Sequence, residues 1–387
     1  MTFDFDAAVD RRNSGSMKWD VGERELPMWV ADMDFPTAPA VRRAIEARAA
    51  HGVFGYTDVS DAWYDAYCGW WKTRHGVTLE KDSLIFCTGV VPAISSMVRK
   101  LTTPAEKVVL LTPVYNIFYN SILNNGRVPS ECPLVRENGE YRIDFAALEA
   151  ALADPQASMM ILCNPHNPIG KCWDKNTLEK IGNLCAAHHV TVIADEIHGD
   201  LTDPDVSYTP FLSVSDTCRR ISVTCTAPTK TFNIAGLQTA AVIVPDPTLR
   251  HRVWRGLNTD EVAEPNVFAV DATVAAFTQG GEWLDALRRY LYENKQIAAE
   301  FLKANLPEIF LTPSQATYLL WLDCSRLCDN ADELAAFLRR QTGLYLSAGS
   351  QYGKGGEPFL RMNIACTKAT LKDGLNRLES GVKAFLK

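Results

Sequence analysis

Ser158-Met159-Met160-Ile161-Leu162-Cys163, leading into Asn164-Pro165-His166-Asn167-Pro168-Ile169-Gly170, and Val190-Thr191-Val192-Ile193-Ala194-Asp195, leading into Glu196-Ile197-His198-Gly199-Asp200, decide how this chain folds. Both apolar runs are continuous, short and free of alternation, and both stop abruptly in polar residues. Strands of that kind are buried on both faces, which happens in a parallel sheet covered by helices. Between them Asp174 is placed to cap a helix on which Leu178, Ile181 and Cys185 recur at three- and four-residue spacing. Strand, amphipathic helix and strand make a βαβ crossover.

Working outward, the same type of run recurs as SLIFC at 83–87, KVVLLT at 107–112, RISVTC at 220–225 and AAVIV at 240–244. The pattern predicts an α/β fold with a largely parallel sheet between helices. Upstream, Ser60 can cap a helix carrying Trp63, Tyr67, Trp70 and Trp71 along one face, a stripe that reads as packing. Downstream, Trp283, Leu287, Tyr290 and Leu291 line one helix, and Leu371, Leu375 and Leu378 another. Between these helices YLLWLD (318–323), LYLSAG (344–349) and FLRMNIA (359–365) read as strands, so a smaller α+β domain is expected. The expected division is 1–45 as a segment joining the small domain, 46–280 as the large domain and 281–387 as the small one.

With 387 residues, 47% of them hydrophobic and 22% charged, the chain can bury a large core without help from metals or cross-links. A formal charge of −7, with no Lys/Arg run, argues against nucleic acid as a direct partner. No apolar stretch is long enough to span a bilayer, and MTFDFDAAVDRR begins with carboxylates where a secretory leader would be basic and then apolar. A cytoplasmic protein without membrane association is expected. The eleven cysteines are scattered with no CxxC pair and no Cys/His ligand spacing, so no metal site is expected.

In an open parallel sheet, ligands sit beyond the carboxyl ends of the strands, and there the chain turns polar. Thr88-Gly89-Val90-Val91-Pro92 follows SLIFC as a turn into a helix, where free N–H groups and the helix dipole can hold a phosphate. Pro113-Val114-Tyr115 follows KVVLLT and places a ring that can stack on a flat heterocycle, or simply cover the sheet edge. Asp195 ends a buried strand, and a carboxylate so desolvated calls for a cationic partner such as a protonated pyridine nitrogen. Asn167 and His198 stand where they can hydrogen-bond that ring's phenolic oxygen.

Thr226-Ala227-Pro228-Thr229-Lys230-Thr231-Phe232-Asn233-Ile234-Ala235-Gly236-Leu237 follows RISVTC. Lysines most often reach out to water, but this one sits among threonines and apolar residues. Desolvation and a nearby cation would lower its proton affinity and make it a nucleophilic amine. Phe359-Leu360-Arg361-Met362-Asn363-Ile364-Ala365 sets one arginine in an apolar strand, suited to a substrate α-carboxylate or to a buried structural ion pair.

In this order the motifs resemble fold-type I pyridoxal-5′-phosphate (PLP) enzymes of the class I/II aminotransferase superfamily, over nearly the whole chain. Within it the chain is most similar to the MalY/PatB-type cystathionine β-lyase, or C–S lyase, branch, through Pro27-Met28-Trp29-Val30-Ala31-Asp32-Met33-Asp34-Phe35-Pro36, DEIHGDL, APTKTFNIAGLQ and FLRMNIAC. The resemblance implies PLP as cofactor and the PLP-dependent transferase fold, with a mostly parallel seven-stranded sheet in the large domain. It makes Lys230 the residue that forms the imine with the cofactor and Asp195 the partner of the pyridine nitrogen. Asn167 and His198 become neighbours of the phenolic oxygen, and Tyr115 the stacking ring. Gly89, Val90, Val91, Thr226 and Thr229 become cofactor contacts at the phosphate end, while Arg361, Val30 and Ala31 take the substrate. Tyr56, in Phe54-Gly55-Tyr56-Thr57, matches a position that reaches the partner's phosphate, which implies a homodimer with shared active sites.

Two residues depart from ordinary aminotransferases: His198 stands in place of tyrosine, and Gln238 stands in place of a phosphate-binding arginine. Both fit the lyase branch. The expected activity is α,β-elimination from L-cystathionine or a related cysteine S-conjugate, giving a thiol, pyruvate and ammonia, with Lys230 as the base that removes the α-proton. An aminotransferase and a PLP-binding regulatory protein are the alternatives.

Overall fold

The computed structural model describes residues 3–387. Seven strands form the central sheet, in the spatial order Leu84–Cys87, Ala240–Ile243, Ser222–Thr226, Thr191–Asp195, Ala157–Cys163, Lys107–Thr112 and Val128–Pro133. All neighbours are parallel except Ala240–Ile243, which runs antiparallel to both of its own. Cys163 lies level with Asp195, and Asp195 with Cys225, so the polar residues after these strands emerge at one edge. One apolar core lies on each face: Val108, Ile161 and Ile193 belong to one, and Val109, Met160 and Val192 to the other. The continuous apolar runs therefore have the double-sided burial that their lack of alternation predicts.

The crossover helix Lys175–Ala187 begins as expected, with the Asp174 carboxylate accepting from the Thr177 N–H at 2.9 Å. Helix Asp61–His75 also starts where predicted, but Ser60 makes no side-chain cap bond; the helix is held by the burial of Trp63, Tyr67, Trp70 and Trp71. Packing has replaced capping as the local determinant.

A second sheet contains Phe310–Leu311, Leu319–Asp323, Phe359–Asn363 and Ser347–Ala348, antiparallel throughout. LYLSAG is not one strand. Ser347–Ala348 pairs with Arg361 and Leu360, whereas Leu344–Tyr345 turns away and pairs in parallel with Leu26–Pro27. That pairing brings the N-terminal segment against the last third of the chain, and the segment then runs on toward the large sheet.

The helices Gly281–Asn305 and Lys368–Phe385 bury Trp283, Leu287, Tyr290 and Leu291, and Leu371, Leu375 and Leu378. Among the described residues all eleven cysteines are free, eight of them buried, and no cluster of His, Cys, Asp and Glu could hold a metal. No helix there is long and apolar enough to cross a membrane.

Candidate active site

A cavity of about 530 Å³ opens at the carboxyl edge of the large sheet. Gly89, Val90, Val91, Tyr115, Asn167, Asp195, His198, Thr229, Lys230 and Ala31 all line it, so ten of the residues singled out from sequence meet around one space. They come from five separate turns and one N-terminal segment.

Asp195 is buried, and its carboxylate accepts one backbone bond, from Ile197 N–H at 3.2 Å. Burial pushes its pKa up to about 6, against the weaker pull of Ile197 and Lys230. Lys230 follows its strand in the short helix Pro228–Thr231, and its Nζ donates to the Ala31 carbonyl at 2.5 Å. Burial, then the Arg361 guanidinium, bring it down to about 8, while Asp32 and Asp195 oppose the shift. His198 is held neutral, down to about 3, first by burial and then by the charges of Lys230 and Arg361. Tyr115 lies edge-on to Phe118 at 5.6 Å, which sets its ring plane, and burial pushes its phenol up to about 12.

At the other end of the cavity, Gly89 precedes helix Val90–Leu101 with no side-chain cap, leaving first-turn N–H groups for an anion. A Cβ at Gly89 would come within 3.1 Å of Pro92 Cδ, so glycine keeps this cradle open. Gln238 lines the same cavity and supplies no charge.

Four predicted residues lie outside the lining. Arg361 is buried one contact away: Nη1 donates to Asn167 Oδ1 at 3.3 Å and Nη2 to the Trp29 carbonyl at 2.8 Å. Val30 lies beside the wall with its carbonyl bound to Asn363 Nδ2 at 2.6 Å. Thr226 ends its strand without reaching the cavity. Tyr56 is fully exposed and does not join the cavity of its own chain.

Sequence reasoning missed the residues that hold the segment around Ala31. Asn363 Nδ2 donates to both Val30 and Asp32 carbonyls at 2.6 Å, and Tyr318 donates to the Ala31 carbonyl at 3.0 Å. Asn233 binds Met33 at N–H and carbonyl and the Phe35 carbonyl, at 2.8–3.0 Å. A signal existed for Asn363: it lies two residues after Arg361 in a strand, hence on the same face.

The donor set fits PLP. A desolvated Asp195 calls for a cation, and a lysine with lowered pKa is an amine ready to meet an aldehyde. Two buried nitrogens, His198 Nδ1 and Arg361 Nε, have no hydrogen-bond partner among the described residues. Such orphaned groups are costly and indicate a ligand that satisfies them.

Fold and site together define the aminotransferase-type architecture, with a lysine and an aspartate on adjacent strand ends of a mostly parallel sheet. The chain belongs to the family of class I and II aminotransferases, whose profile matches residues 26–378. It is 44% identical over 384 residues to cystathionine beta-lyase PatB of Bacillus subtilis, covering 98% of this chain and 99% of that one. It is 34% identical over 390 residues to protein MalY of Escherichia coli, covering 99% of each. Among solved structures it is similar to cystalysin from Treponema denticola, which contains a pyridoxal 5′-phosphate cofactor, with a TM-score of 0.96, 32% identity and full coverage of both chains.

Proposed function

We propose that this chain is a PLP-dependent carbon–sulfur β-lyase, cleaving L-cystathionine or a related cysteine S-conjugate with water to a thiol, pyruvate and ammonia. The observation that carries this reading is the shared cavity of Lys230 and Asp195, one an amine of lowered proton affinity and the other a buried acid whose carboxylate makes no ion pair among the described residues.

When bound, PLP supplies an electron sink for the charge left at the substrate α-carbon. The chain supplies everything else. Asp195 would hold a proton at the ring nitrogen, and His198, kept neutral, would offer a hydrogen bond at the phenolic oxygen with Asn167 beside it. Tyr115, which lines the cavity, would cover one face of the ring. The N–H groups after Gly89, with Val90, Val91 and Thr229, would hold the phosphate end, whereas Thr226 stands outside the cavity. Arg361 takes the α-carboxylate, against the backbone of Val30 and Ala31. Lys230 would anchor the cofactor and, as a free amine, would be the base that takes the α-proton at Nζ, with a thiolate leaving from the β-carbon.

Gln238 and His198 favour elimination over transfer, since both depart from the ordinary aminotransferase set. PatB carries the name cystathionine beta-lyase, which points the same way. A panel of cysteine thioethers assayed for pyruvate, with and without added PLP, tests the reading. Pyruvate release without a keto acid is the expected result. Strict dependence on a keto acid would establish the aminotransferase instead, full turnover by a Lys230→Ala variant would overturn the lysine-based mechanism, and a wild-type chain that shows no visible imine absorbance with PLP would favour a regulatory role.

The active form in this proposal is a homodimer in which Tyr56 reaches the partner's phosphate, with each chain divided at 1–45, 46–280 and 281–387. A cytoplasmic location accords with the eleven free cysteines, since such thiols persist in reducing compartments.

A further inference from the structure

The Ala31 carbonyl oxygen accepts two hydrogen bonds at once, from Lys230 Nζ at 2.5 Å and from Tyr318 Oη at 3.0 Å. Its neighbours are pinned from the other side: Asn363 Nδ2 grips the Val30 and Asp32 carbonyls, each at 2.6 Å. With the carbonyls of residues 30 and 32 held, the backbone is fixed on both sides of the residue 31 carbonyl that the lysine reaches. Asn363 is itself fixed, its Oδ1 accepting from the Ala365 N–H at 2.7 Å.

Tyr318 is fully buried on the first residues of the YLLWLD run, and its ring meets His198 edge-on at 6.1 Å. Burial, then the Asp32 charge, hold its phenol far above the ordinary tyrosine range, so it keeps its proton and acts as a donor throughout the working pH range. A buried phenol usually satisfies its O–H on the nearest free acceptor. This one shares an acceptor already used by the catalytic amine.

We propose that Tyr318 is a positioning residue that competes with Lys230 for the Ala31 carbonyl and thereby makes the Lys230 amine give up its proton more readily. The inference rests on the reading of Lys230 as the cofactor-binding base. Its physical basis is acceptor competition. A carbonyl that already receives one O–H is a poorer acceptor for an ammonium, and the hydroxyl proton lies on the side of the positive charge. The groups facing Lys230 are Arg361 and His198, which disfavour its charge or stand neutral beside it, and Asp32 and Asp195, which favour it. Tyr318→Phe leaves all four in place and removes only the competing donor.

The test uses the full-length chain stripped of PLP and then supplied with PLP alone across a pH series. The rate of imine formation is followed by its visible absorbance, and the attachment point is fixed by borohydride reduction and peptide mapping. Capture needs the unprotonated amine, so its rate rises with pH through the Lys230 titration. For Tyr318→Phe the midpoint should move up by about half a pH unit or more, with unchanged circular dichroism. A midpoint that stays put or moves down overturns the proposal. If a Lys230→Ala chain captures PLP as well as the wild type does, the lysine assignment itself fails, which is a separate outcome. A purely structural role for Tyr318 would lower thermal stability without moving the midpoint, and so counts against the inference.

Discussion

Arg361 Nη2 donates to the Trp29 carbonyl at 2.8 Å while the Nε of the same guanidinium has no partner among the described residues. The group is anchored on one side and unsatisfied on another. Its guanidinium also lies 5.0 Å from the Tyr352 ring centre, which fixes its plane. Anchoring of this kind pre-orders a long side chain, so a planar anion can bind without first ordering it.

Arg361→Lys should therefore lower kcat/KM for cysteine thioethers by about a hundredfold, within the range measured when one partner of a buried charge pair is altered. The loss should fall mainly on KM, and thioether amines lacking the α-carboxylate should lose far less. Steady-state kinetics on a matched acid and amine pair would check this. Equal losses for both would show that Arg361 supports the fold and not the substrate.

Asp195 predicts a conflict between stability and function. Its folded pKa of about 6 lies above the ordinary 3.8, so the folded chain without cofactor holds that proton more tightly than the unfolded chain does. The stabilisation is present below pH 3.8 and is lost as pH rises through 6. At neutral pH the buried charge costs about 3 kcal/mol by that shift. Asp195→Asn should accordingly raise the melting temperature of the cofactor-free chain at pH 7 to 8 while weakening PLP binding. Calorimetry with and without PLP would show a large cofactor-induced rise for wild type and a small one for the variant.

Glu196 offers the contrasting case one residue away. Burial pushes it up to about 8, yet its side chain is satisfied within the chain, accepting from Phe211 N–H at 2.7 Å and from the Tyr208 hydroxyl. The folded state again binds the extra proton, so stability should fall as pH rises from the ordinary 4.5 through 8. Glu196→Gln keeps an acceptor for Phe211 and removes the titration. Its expected effect is a flatter stability curve between pH 6 and 9 with PLP binding retained, read from urea unfolding at several pH values.

These predictions draw unevenly on what the sequence made legible. Asp195, Asn167, His198 and Lys230 were visible because each follows a continuous apolar run, and the carboxyl ends of parallel strands gather at one edge whatever the loops do. Asn363 and Tyr318 were harder, since their contacts to the segment around Ala31 join residues 287 to 333 positions apart. No local period encodes such a meeting. The split of LYLSAG was hidden for the same reason: Leu344–Tyr345 leaves the small sheet to pair with Leu26–Pro27, a partner no hydrophobic pattern specifies. Ser60 shows the opposite error, a good local signal made unnecessary by four buried aromatic rings.

Tyr56 carries the last prediction. It is fully exposed, with Phe54 and Val53 exposed beside it, an apolar cluster of the sort that a second subunit covers. If Tyr56 serves the partner's site, a site is complete only when its own chain supplies Lys230 and the other supplies Tyr56. Lys230→Ala and Tyr56→Ala homodimers should then each be nearly inactive. Mixed in equal amounts and allowed to exchange subunits, half of the dimers become hybrids, and each hybrid has one intact site. Pyruvate release should recover to about a quarter of the wild-type level at equal protein concentration. If Tyr56 acted within its own chain, every site in the mixture would lack one residue or the other, and no recovery would follow however long the exchange ran.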